Sequence, residues 1–176
     1  MQRFLKTLNI ADWFSFYRIL AFPVLAVLLF MGERQWFTWF LLVSYSTDAI
    51  DGFLARRLNL SSARGAQLDS IGDQLTLVIG LLGLLIFENE FIRTNLLLIA
   101  IAFVPYLVQM AIAFKKYGKA TAFHTYLAKL SAILQAVFIL YTLFFGPVYW
   151  LFYLMITVGI LETLEEITLI FMYDRW

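Results

Sequence analysis

The sequence predicts an all-α integral-membrane protein: a bundle of six transmembrane helices with a short N-terminal interfacial helix and both termini in the cytoplasm. Three observations predict it. The 176 residues are 62% hydrophobic and 14% charged, with a mean hydropathy of +0.83; a soluble domain carries about 25% charged residues. The apolar residues fall into six stretches of the roughly 20 that a helix needs to cross a bilayer. The cations divide unevenly between the connections. Arg3, Lys6, Arg18, Arg56, Arg57, Arg64, Lys115, Lys116, Lys119, Lys129 and Arg175 collect on one side, against only Arg34 and Arg93 on the other. Positive charge marks cytoplasmic loops, and an even number of spans brings the chain back to the side where it began.

The chain opens with an amphipathic lead, MQRFLKTLNIADWF, suited to lie at the interface. The first span follows over about 15–32 and continues past Pro23. It lacks a small-residue cleavage site, so it reads as a retained helix and not a signal peptide. The second span, about 35–55, is apolar apart from its aspartates. A polar link from Arg57 to Arg64, with Asn59, Ser61 and Ser62, turns the chain into the third span, about 67–87. The fourth occupies about 91–113, and a basic connection leads to the fifth, about 127–145, and the sixth, about 148–172. Short connections and the absence of a linker or internal repeat predict one domain over residues 1–176. Trp13, Trp36, Trp39, Trp150 and Trp176 stand near span ends, as interfacial anchors do.

Composition removes several chemistries. There is no cysteine, hence no disulfide, thiolate site or cysteine nucleophile. No basic tail or stripe suits nucleic acid.

The chemistry concentrates in four of the twelve acidic residues, Asp48, Asp51, Asp69 and Asp73. Carboxylates at membrane depth are costly, about 2.5–3.5 kcal/mol each on insertion scales, and four together repel. Asp48 and Asp51 are three apart and Asp69 and Asp73 four apart, so each pair shares a helix face. A tight turn between the two helices would let all four converge. A hard divalent cation, Mg²⁺ or Mn²⁺, takes carboxylate oxygens, and two such ions about 3.5–4 Å apart would form a clamp for phosphoryl transfer. Gly52 and Gly65 would let a ligand or helix approach the backbone. Arg56, one turn beyond Gly52, has the fork geometry to hold a phosphate.

The string Asp48-x2-Asp51-Gly52-x2-Ala55-Arg56-x8-Gly65-x3-Asp69-x3-Asp73 resembles the signature of the CDP-alcohol phosphatidyltransferases at all eight fixed positions. The resemblance implies six helices, a cytoplasmic active site, a homodimer and two divalent cations held by Asp48, Asp51, Asp69 and Asp73. It implies transfer of a phosphatidyl group from CDP-diacylglycerol to an alcohol, releasing CMP, with Asp73 as the base. Gly52, Ala55, Arg56, Ser62 and Gly65 would then line the CDP-lipid site. Asp12 and Ser15 resemble a family element before the first span, although its proline is absent; the plainer reading of Asp12 is a helix cap. Lys129 resembles a lysine near the start of the family's fifth span, with Ala128 where a glycine is usual, and would bind the acceptor.

The basic connection makes glycerol 3-phosphate the first acceptor expected. Inositol phosphate, serine or another small alcohol are alternatives, as is a CDP-choline or CDP-ethanolamine donor with diacylglycerol. Membrane prenyltransferases also use aspartate-rich sites, but in two widely separated motifs. A transporter with carboxylate cation sites would not require the Gly52, Ala55 and Arg56 spacing. The expected location is a bacterial or archaeal cytoplasmic membrane. Purely structural readings attach to several polar residues. The aspartates would pair with Arg56, Arg57 and Arg64; Lys115, Lys116 and Lys119 would set topology; His124 would be interfacial; and Gln109 and Gln135 would cross-link helices. Glu162, Glu165 and Glu166 share one side of the last span and should not face lipid.

Overall fold

The first apolar run folds as helix α1, Ile10–Phe30, in a computed structural model of the chain. The structure describes the backbone of residues 10–58, 63–118, 123 and 125–173, and their side chains except at 10–15, 48, 49, 51–58 and 63–67. The described residues form seven helices and no strand. After α1 come α2 (Arg34–Leu58), α3 (Ala63–Phe87), the short α4 (Asn89–Thr94), α5 (Leu96–Tyr117), α6 (Tyr126–Phe145) and α7 (Tyr149–Met172). The interfacial lead falls largely outside the described residues.

Among the described residues, three helices are long and apolar enough to cross a membrane: Leu68–Phe87 within α3, Leu96–Tyr117 and Tyr126–Phe145. Each has the 20 or more residues that span about 30 Å. In α1 the apolar part among the residues with described side chains is Phe16–Phe30. Helix α2 carries two aspartates and three arginines, and α7 three glutamates.

The helices group into two units, Met1–Glu88 and Asn89–Trp176. In the first, α1 packs on both α2 and α3. Its buried face runs Arg18, Ala21, Leu25 and Leu29, the three-and-four spacing of one helix side. A Schellman turn ends α1: the amide of Gly32 donates to Leu29 O and that of Glu33 to Leu28 O, with Gly32 at φ +73°. Helices α2 and α3 meet where the fully buried Phe37 ring lies on Gly83. A Cβ at Gly83 would stand 2.5 and 2.7 Å from Phe37 ring carbons, so glycine is what admits the ring. Beyond it, Arg34 Nη2 donates to Glu88 Oε1 at 2.5 Å and ties the start of α2 to the end of α3.

In the second unit, α7 packs on α5 and α6. Phe91, Phe138, Tyr149 and Phe152 form an aromatic cluster, with the Phe91 and Phe152 ring centroids 5.0 Å apart, edge to face. The fourth span expected over 91–113 is divided. Residue 91 belongs to α4, and α5 begins only at Leu96. Asn95 marks the break, its amide and its side-chain Nδ2 both donating to Phe91 O. A side chain that bonds the preceding turn competes with helix continuation, and the buried Phe91 anchors the short piece. Gly118, at φ +71°, ends α5, and Thr125 caps α6 by accepting from the Ala128 amide at 3.1 Å. Among the tryptophans with described side chains, Trp36, Trp39 and Trp150 are exposed, as anchors would be.

Candidate active site

The site begins with a helix period. Asp69 and Asp73 lie one turn apart in the first two turns of the apolar stretch Leu68–Phe87 of α3. Alone, two like charges at this spacing repel. Here a guanidinium bridges them. Arg18 of α1 donates from Nη2 to Asp69 Oδ1 at 2.6 Å and from Nη1 to Asp73 Oδ1. The arginine side chain is 0% exposed, whereas the two carboxylates are 44% and 49% exposed. The cation is therefore buried behind the anions, and the anions present an open side. A buried charge without a partner costs several kcal/mol, so this geometry holds both members together.

Gly72 explains how Arg18 reaches both. A Cβ there would lie 3.4 Å from Arg18 Cβ and Nε and 3.5 Å from Cζ, so the arginine lies along the α3 backbone between the aspartates. Thr76 Oγ1 turns back to Gly72 O at 2.8 Å and satisfies itself inside the helix.

Two half-open carboxylates fit a hard divalent cation by the chemistry of their oxygens. Among the described residues there is no group of three or more histidine, cysteine, aspartate or glutamate side chains able to hold a metal. A fuller ligand set needs residues beyond this pair. Asp48, Asp51, Gly52, Ala55 and Arg56 lie on α2, and Gly65 near the start of α3. Their side-chain positions, and those of Arg57 and Arg64, lie outside the described residues, as do Ser62 and His124 altogether. Asp12 and Ser15 lie on α1; Asp12 stands within that helix, past its first described residue.

In the second unit, Lys129 sits in the first turn of α6, exposed, with Nζ 5.5 Å from the centre of the Tyr126 ring. The segment before it is held by α7. Glu166, buried, accepts from Gln109 Nε2 at 2.7 Å and from the Phe123 amide at 3.1 Å. Glu165 Oε2 accepts from Thr125 Oγ1 at 2.7 Å. Gln109 thus does cross-link helices, α5 to α7. Gln135 instead donates to Ser131 of its own helix at 3.4 Å. Lys116 Nζ donates to Ile170 O at 2.7 Å, a structural tie on the C-terminal part of α7.

The residue that sequence reasoning missed is Arg18, which it counts among the topological cations. Its phase with Ala21, Leu25 and Leu29 was the available signal.

The family model for CDP-alcohol phosphatidyltransferases matches residues 8–163, most of the chain. The chain belongs to that family. Two curated relatives are similar to this phosphatidyltransferase-family chain. A CDP-diacylglycerol–glycerol-3-phosphate 3-phosphatidyltransferase of Cereibacter sphaeroides is 41% identical over 68 residues, 36% of this chain and 31% of the relative. A protein of the same name from Wigglesworthia glossinidia brevipalpis is 29% identical over 87 residues, 48% of each chain. The chain therefore spans about a third to a half of the length of these relatives. No solved structure matches it significantly.

Proposed function

We propose that this chain is a membrane enzyme of phospholipid synthesis that transfers a phosphatidyl group from CDP-diacylglycerol to glycerol 3-phosphate and releases CMP. The observation that carries the proposal is the paired exposed carboxylates of Asp69 and Asp73, buttressed from within by Arg18, in a chain of this family. The names of the two relatives supply the donor and the acceptor.

Asp48, Asp51, Asp69 and Asp73 are the residues that would hold two divalent cations, Mg²⁺ or Mn²⁺. When bound, such ions neutralise charge on the diphosphate and on the departing CMP. The protein's own groups do the rest. Asp73 takes the proton of the acceptor hydroxyl, and that oxygen attacks the phosphorus bonded to the lipid. The bond from this phosphorus to the bridging oxygen breaks, and CMP leaves with that oxygen. Gly52, Ala55, Arg56, Ser62 and Gly65, with Asp12 and Ser15, line the CDP-lipid site. Lys129, exposed in the first turn of α6, pairs with the acceptor phosphate. The family model crosses from one helical unit into the other, which supports a single domain. Six spans, cytoplasmic termini and active site, a homodimer and a bacterial or archaeal cytoplasmic membrane complete the proposal.

The test is CMP release from CDP-diacylglycerol by purified protein in detergent, with Mg²⁺ or Mn²⁺, an EDTA control and each acceptor separately. Release that requires the metal and glycerol 3-phosphate establishes the reaction. Release with inositol phosphate or serine instead renames the acceptor, and no release with any of them overturns the reading. Lys129→Ala should raise the acceptor KM at least several-fold while leaving the donor KM nearly unchanged; equal effects would remove Lys129 from the acceptor site.

A further inference from the structure

We infer that Arg18 is a positioning residue, holding Asp69 and Asp73 in one orientation and thereby setting the affinity of the site for divalent cations. The inference rests on the catalytic reading above but is tested by binding and not by turnover.

Three features carry it. The guanidinium uses two different nitrogens for the two aspartates, so one rigid planar group fixes both carboxylates at once. It approaches from the buried side, taking Oδ1 of each, while 44% and 49% of those side chains stay open. The arginine stem lies against Gly72, with its Nε and Cζ 3.4 and 3.5 Å from where a Cβ would stand, so the α3 backbone itself holds the guanidinium in place. Without this bridge the pair would repel and turn apart. Groups that orient a carboxylate ligand typically change metal affinity by about 10–100-fold when removed.

The experiment is a Mn²⁺ titration followed by electron paramagnetic resonance on the full chain in detergent, for the wild type, Arg18→Gln, Arg18→Lys and Asp69→Asn. Asp69→Asn identifies the signal that belongs to this site. Arg18→Gln should raise the Mn²⁺ Kd by about 10–100-fold with helical circular dichroism unchanged. Arg18→Lys should also weaken binding, because a single ammonium keeps the charge but not the fork. If Arg18→Gln does not fold, Arg18→Lys alone decides. Binding as tight as wild type in a folded Arg18 variant overturns the inference. A wild type that binds Mn²⁺ but releases no CMP sinks the reaction while leaving the role of Arg18 to the variants. A wild type that binds no Mn²⁺ overturns both.

Discussion

At the scale of single residues, the molecule uses its carboxylates in two ways. Asp73 belongs to the pair that faces outward, and the proposed chemistry needs its carboxylate both as base and as ligand. Asp73→Asn should therefore lower turnover by about 10²-fold or more, the range general bases supply. It should leave the helical content intact, because Arg18 retains Asp69 as a partner. CMP release near the wild-type rate would remove Asp73 from the proton transfer. Glu166 is the opposite case, a buried carboxylate that accepts from an amide side chain and a backbone amide. Glu166→Ala takes an acceptor from two donors, and each buried donor left unmet costs about 1–3 kcal/mol. The expected result is a melting temperature several degrees lower in detergent. An unchanged melting temperature would mean that water or another group replaces the carboxylate. Neither role was fully legible beforehand. The aspartate spacing lies within one stretch of chain, but Arg18 is 51 and 55 residues from its partners, and Glu166 is 43 and 57 from its own. No local pattern joins residues so far apart.

At the scale of helices, what the sequence discloses is length and face, and what it hides is where a helix breaks or touches. Apolar runs of about 20 residues locate all six long helices. The interruption at Asn95 is not set by hydropathy alone: the polar run Arg93, Thr94 and Asn95 stands between apolar residues, and the break depends on a side chain bonding the previous turn and on Phe91 reaching an aromatic cluster. The contact between α2 and α3 is likewise hidden, since Gly83 is one glycine among several in a helix of mixed small and large residues. Its role can be tested. Gly83→Ala places a methyl 2.5 Å from the Phe37 ring, an overpacking that typically costs about 1–3 kcal/mol. The variant should melt lower than wild type, and Phe37→Leu on the same chain should restore part of the loss. Additive losses in that double-mutant cycle would show that the ring and the glycine do not meet.

At the scale of the whole molecule, contacts inside each unit bear on how many helices cross the membrane. Helix α3 is apolar enough to cross. Arg34, at the start of α2, pairs with Glu88, just past the end of α3. The four residues 59–62 join the far end of α2 to the start of α3. Helix α2 therefore runs the length of α3 in the opposite direction, and if one crosses, so does the other despite the charges of α2. Helix α1 meets the aspartates near the start of α3 and ends in the Gly32 turn before Arg34, so it makes the same passage. In the second unit α7 starts beside Phe91, ahead of α5, and reaches Lys116 near the end of α5. Its glutamates are thus carried along an apolar neighbour, with Glu166 buried against it. Six crossings are therefore expected, where composition alone finds three among the described residues. The chain has no cysteine, so single cysteines report topology without a background. A membrane-impermeant maleimide applied to intact cells should label Glu33→Cys and Pro147→Cys, and should label Leu60→Cys and Lys119→Cys only after lysis. Positions 33 and 60 decide the count. With six crossings they lie on opposite faces, whereas a protein crossing only through α3, α5 and α6 would expose or protect them together.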